Sequence, residues 1–317
     1  MDLRSDPRMD QHVLEAMAAF GLNKYAADLP YLINLEIGIL GFYKMVPNEL
    51  PDDDKRGKVD YTGAEGPLPC IAYIHGGGMV VISTYNRVQK MWCEELALTG
   101  LMWCEELALT GLVVIAIDFR NAYTEKKLNP FPAGLNDCSS GVAWIDAHRK
   151  ELGITKIVLE GESGGGNLCC ATMLKAKRDC KLSMIDGVYT LDEDKRLAEL
   201  PSLVECDGYF LSCQQMDVLA GFYDPTGGNA DNPLAWPLNA SNEDMAGLPP
   251  HVISVNELDP LRDEGRAYFQ KLLHAGVKAV GRVNLGIPHG AEFILRQTIP
   301  HTYKVTVADI KQFAYGV

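Results

Sequence analysis

The sequence has no C-x-x-C pair, no H-E-x-x-H and no close His/Asp ligand set, so it implies no metal. Its two glycine-rich runs do not read as nucleotide sites. Gly161 to Leu168 lacks the lysine of a phosphate loop, and Gly76 to Gly78 leads into Met79-Val80-Val81 rather than a dinucleotide fingerprint, so no cofactor is implied either. Basic residues are in deficit, 29 against 42 acidic for a formal net charge of -13, which opposes nucleic acid or an anionic membrane surface as partner. No apolar run of bilayer length occurs. The longest, Tyr31 to Val46, is broken by Glu36 and Lys44 and reads as a lid helix. The first ten residues carry Asp2, Arg4, Asp6, Arg8 and Asp10 and lack the apolar core of a secretory signal. The nine cysteines are odd in number and scattered, which fits reduced thiols and a cytoplasmic setting.

What is present is enough apolar residue, 47% of 317, for one large core. Strand and helix patterns alternate from residue 70 onward, which predicts an α/β fold with a mainly parallel sheet covered on both faces. Leu135, Cys138, Val142 and Ile145 share one helical face, as do Gly265, Tyr268, Phe269 and Leu272, while Gly153 and Gly276 stand where helices stop. Two regions fall outside the alternation: 1–50, read as N-terminal cap helices, and an insert at about 190–235 within the 51–317 domain. Both are rich in apolar residues, among them Tyr31, Leu35, Phe42, Tyr209, Phe210 and Leu211.

Four short stretches carry the chemistry. Gly161-Glu162-Ser163-Gly164-Gly165 lies between an apolar strand and a helical segment, the setting of a nucleophile elbow. A serine hydroxyl needs a neighbouring base, and that base needs an acid to orient it. His289, in a Gly/Pro-flanked loop after a predicted strand near 279–283, is the expected base. Asp259, just beyond the strand 252–255, is the expected acid, with Asp263 and Glu257 in the same loop as alternatives and Arg262 with Asp263 read as an ion pair or helix cap. His75-Gly76-Gly77-Gly78 follows the strand 71–74, where bare backbone can turn N–H groups toward a developing oxyanion; Gly76, Gly77 and Gly164 are the expected donors, with His75 and Gly78 in support. Glu162 receives no role. The order nucleophile, acid, histidine points to an ester-cleaving hydrolase acting on a small neutral substrate.

These segments resemble the hormone-sensitive-lipase family of carboxylesterases. Asp118-Phe119-Arg120-Asn121-Ala122, Pro130-Phe131-Pro132, Leu200 to Glu205, Asp224-Pro225-Thr226-Gly227, Asp259 to Gly265 and His289-Gly290-Ala291 extend the resemblance from about Pro69 to the C-terminus. It implies an α/β-hydrolase fold with a helical cap over the acyl pocket, no metal, and Ser163, Asp259 and His289 as the triad of a serine carboxylesterase for small to medium esters, lactones among them. It leaves a homodimer open. A receptor-like binding protein on the same scaffold is the alternative, against which His289 argues.

Two features depart from that family. Met91 to Leu101 recurs identically as Met102 to Leu112, where the resemblance implies one copy. Eleven residues make nearly three helical turns, so either one helix continues through both copies or the second forms an extra turn before the strand at Val113, away from the catalytic loops. The stretch 47–68, with Asp52-Asp53-Asp54, shows no pair of strands where the family has an edge hairpin, which leaves the Val113 strand as an exposed edge. The approach to the insert, Thr190 to Arg196, is also short.

Overall fold

The computed structural model describes residues 6–19, 66–81, 103–104, 106–124, 127–191 and 200–317. Six strands form one parallel sheet: β1 (Leu68–Ile74), β2 (Val113–Ile117), β5 (Ile154–Glu162), β6 (Gly187–Leu191), β7 (His251–Asn256) and β8 (Ala279–Asn284), in the spatial order β2-β1-β5-β6-β7-β8. A separate two-residue ribbon pairs β3 (Tyr123–Thr124) with β4 (Lys127–Leu128). The inner strands are apolar on both faces because both faces are covered, and β6 and β7 are buried throughout.

Alternate side chains feed two core layers. Cys70, Ala72 and Ile74 point to the side of the helices Ala133–Ala147, Gly164–Arg178 and Arg262–His274, whose buried faces include the positions read from the sequence. Ile71 and Tyr73 point the other way, toward Trp103, Leu107 and the C-terminal helix Pro300–Gly316. Phe269 is only partly buried, packed at the margin of its layer.

The second copy of the repeat is helical at 103–104 and 106–109 and turns at Gly111 into β2, at the end of that strand remote from its catalytic-loop end. Trp103 fills a slot against Phe293 (ring centroids 4.4 Å) and Tyr303 (5.3 Å). The first copy, and thus the junction between copies, lies outside the described residues. So do the expected lid helix at Tyr31 to Val46, most of the cap reading over 1–50, nearly all of 47–68, and 192–199. Among the described residues β2 is the last strand on its side of the sheet.

Between β6 and β7 the insert contributes the helices Ser202–Glu205 and Cys213–Tyr223. The N-terminal helix Gln11–Ala19 and its approach join it: Met9 and Val13 pack with Cys206, Tyr209, Leu258 and Ile287, and Asp6 accepts from both Arg8 and Tyr209. Tyr209 is therefore buried, and Phe210 and Leu211 are half-buried. Among the described residues no helix is long and apolar enough to cross a membrane, and the eight described cysteines form no disulfide.

Candidate active site

The sheet register decides where the motifs emerge. Ile74 stands beside Gly161, Glu162 beside Leu191, and Asn256 beside Asn284, so the carboxyl ends of β1, β5, β7 and β8 open onto one rim. Ser163 follows β5 directly and takes φ 54°, ψ -128°, with its N–H donating to Leu191 O at 2.6 Å. A left-handed serine is strained, and the strain presents its hydroxyl above the sheet. The turn is possible only because its glycines touch other backbone: a Cβ on Gly165 would lie 2.0 Å from Ile74 O, and one on Gly164 2.6 Å from Met79 N and 2.8 Å from Gly78 N.

The three distant side chains meet. His289 Nε2 lies 3.1 Å from Ser163 Oγ, and His289 Nδ1 lies 2.7 Å from Asp259 Oδ2. Asp259 is fully buried, and its other oxygen accepts from Leu261 N at 2.8 Å, which fixes the carboxylate plane toward the imidazole. The alternatives are engaged elsewhere. Glu257 accepts from Gly286 N, and Asp263 is clamped by Arg262 and Ser202, the ion pair expected from the sequence.

The donor set is different from the one expected. Gly76 N–H donates to Glu162 Oε1 at 2.7 Å, which removes it from the oxyanion donors read from the sequence. The N–H groups of Gly77, Gly78 and Gly164 donate to no described residue, and the backbones of Gly78 and Gly164 are in contact. Gly76 is thus taken up by Glu162, and Gly78, expected in support, is left with an N–H that no described residue accepts. His75 stays behind the loop, stacked on Phe119 at 4.3 Å with Nδ1 2.8 Å from Gly76 O. The insert reaches the same loop, since a Cβ on Gly78 would meet Leu219 Cδ1 at 2.7 Å. Among the described residues no cluster of three or more His, Cys, Asp or Glu is placed to hold a metal.

The family described as alpha/beta hydrolase fold matches residues 71–293. The chain belongs to the α/β-hydrolase family. Among solved α/β-hydrolases, it is similar to brefeldin A esterase, described as a bacterial homologue of human hormone-sensitive lipase, at 39% identity and TM-score 0.81 over 99% of this chain and 95% of that one. Esterase Est22 is similar at 30% identity and TM-score 0.77, over 99% of each chain. Carboxylesterase NlhH of Mycobacterium tuberculosis is 29% identical over 66% of this chain and 62% of its own length, and an arylesterase of Saccharolobus solfataricus 31% over 68% and 65%. The matches to these last two relatives thus span less than two thirds of their lengths.

Two groups of this α/β-hydrolase's site were not assigned from sequence. Glu162 is one; its signal was an acidic pair, Glu160 and Glu162, at alternate positions just after the apolar run Ile157-Val158-Leu159. Glu292 is the other, three residues after the histidine. It is wholly buried, and Asn256 Nδ2 bridges its Oε2 (2.8 Å) and Pro288 O (3.0 Å), tying the histidine turn to β7. Burial pushes the Glu292 carboxyl from an ordinary 4.5 up to about 7, against the bond from Asn256 and the nearby His289.

Between those values the folded state keeps a proton that the unfolded chain has released. The associated stability is therefore full below pH 4.5 and declines as pH rises toward 7. Glu292→Gln removes this dependence, so in urea unfolding the variant is expected to gain on the parent between pH 4.5 and about 7, by no more than about 3 kcal/mol. A difference that stays constant over that range contradicts the assignment. Comparing variant with parent isolates the effect from buried His251, whose pKa, lowered by burial to about 4, gives the opposite slope.

Proposed function

We propose that the protein is a serine carboxylesterase for small to medium carboxylic esters, lactones included. The observation that carries this is the continuous line Ser163 Oγ, His289, Asp259 with contacts of 3.1 and 2.7 Å. His289 Nε2 takes the hydroxyl proton as Ser163 adds to the carbonyl carbon, and Asp259 steadies the imidazolium through Nδ1. Gly77, Gly78 and Gly164 N–H groups receive the negative oxygen, each worth about 3 to 4 kcal/mol of transition-state stabilisation. The C–O bond to the alcohol breaks as His289 returns the proton to it; water then repeats the cycle on the acyl-enzyme and releases the acid.

The cap, 1–50 with 190–235, is part of this reading, supported by Leu219 resting on the oxyanion loop and by the N-terminal segment packing on Leu258 and Ile287 beside the acid and base. Eight described cysteines that form no disulfide support a cytoplasmic setting.

A fluorophosphonate probe tests the reading. The wild-type chain should be labelled once, at Ser163, and His289→Ala should slow labelling by at least about 10³-fold. No labelling of the wild type would favour the receptor-like binding protein and sink the hydrolase.

A further inference from the structure

An acidic pair beneath the nucleophile, Glu160 buried and Glu162 half-buried, is not used by the steps above. Glu160 and Glu162 point to the same face of β5, toward Tyr73 and Trp103. Glu160 is fully buried, and one of its oxygens accepts from Trp103 Nε1 at 3.2 Å. Glu162 Oε1 accepts twice, from Tyr73 Oη at 3.0 Å and from Gly76 N at 2.7 Å. Its carboxyl therefore joins the end of the nucleophile strand, the interior of β1 and the first glycine of the oxyanion loop. The fit at Gly76 is close: a Cβ there would stand 3.0 Å from Glu162 O, 3.1 Å from Glu162 Oε1 and 3.3 Å from Ser163 Cβ.

We propose that Glu162 is a positioning residue: by holding the Gly76 N–H it fixes the oxyanion loop so that the next two glycines, together with Gly164, face the reacting oxygen. The inference rests on the esterase reading and extends it. A loop of three consecutive glycines has little of its own to fix its conformation, because Gly has more backbone freedom to lose than any other residue. An oxyanion hole works only if its donors are already aimed when charge develops. The anchor must then come from outside the loop, and Glu162 supplies it from the residue adjoining Ser163, so the nucleophile and the hole share one attachment. Burial raises both carboxyls, Glu160 further because it also faces Glu162; the donors around Glu162 favour its charged form and leave the proton on Glu160.

The effect should appear in kcat and not in ground-state binding. Glu162→Leu, similar in volume but without an acceptor, is expected to lower kcat for a p-nitrophenyl ester by about 10²- to 10³-fold, with KM within about threefold. Affinity for a trifluoromethyl ketone, whose adduct on Ser163 places an oxyanion in the hole, should fall by the same factor as kcat/KM. Binding of the product carboxylic acid should hardly change. Glu162→Gln keeps an acceptor of the same shape and should restore kcat to within about tenfold of wild type. If the leucine variant does not fold, Glu162→Ala is read the same way.

A folded Leu or Ala variant with kcat within about twofold of wild type overturns the inference while leaving the esterase standing. So does a glutamine variant as slow as leucine, or a kcat loss without a matching loss of ketone affinity. A wild-type chain with no ester turnover overturns both.

Discussion

Replacing Ser163 with alanine is expected to lower ester turnover by about 10⁴- to 10⁶-fold while leaving the fold intact. The two halves of that expectation have separate causes. The Ser163 hydroxyl lies 3.1 Å from His289 Nε2, so its loss removes the nucleophile that the base would deprotonate. Structurally, alanine inherits the strained φ of 54° at little added cost, since both residues carry a Cβ, and the lost bond to His289 is a half-exposed one. Initial rates on a p-nitrophenyl ester and a urea unfolding curve measure the two halves independently. Adding His289→Ala to the alanine variant should lower the rate little further, because triad members act as a unit. Full activity in the single variant would remove Ser163 from the mechanism.

Gly165→Ala should do the reverse: abolish the fold, and activity only as a result. A Cβ there would sit 2.0 Å from Ile74 O and 2.7 Å from His75 O. Those are backbone atoms of β1 and of the oxyanion loop, and no rotamer change relieves the clash. Either the elbow helix lifts from the sheet or β1 shifts, and each breaks a layer in which Ile74, Leu168 and Leu159 are fully buried. The cost is expected to exceed about 4 kcal/mol, a large part of a domain's whole stability. Gly221 in the helix Cys213–Tyr223 is the control: an added Cβ meets nothing within 4 Å, so Gly221→Ala should stabilise by about 0.5–1 kcal/mol through helix propensity. Equal midpoints for the two variants would refute the packing argument.

The parts of this site that were legible in the sequence are those whose chemistry is written locally. Ser163 sits between glycines at fixed spacing, Asp259 follows the apolar run Val252-Ile253-Ser254-Val255, and His289 lies in a Gly/Pro-flanked loop. Sequence places Asp259 first but leaves Asp263 and Glu257 open as alternatives, because what distinguishes them is who else claims each carboxylate, and those claimants, Arg262, Ser202 and Gly286, are spread from residue 202 to 286. The donor set was misread at Gly76 for a related reason. Its partner is Glu162, 86 residues away, and the pair meets only because β1 and β5 are neighbours in register. Buried Glu292 was missed because an acid three residues beyond a histidine looks like ordinary helix surface until Asn256 is seen beneath it.

The Trp103 slot gives the duplicated segment an unusual property. Trp92-Cys93-Glu94-Glu95-Leu96 and Trp103-Cys104-Glu105-Glu106-Leu107 are chemically the same word, and the recess formed by Phe293, Tyr303 and Glu160 takes its tryptophan. Excising either copy leaves an identical polymer of 306 residues, 317 less the eleven of one repeat, that still carries everything the recess recognises. The duplication is thus redundant at this recess: one copy of the word suffices to fill it.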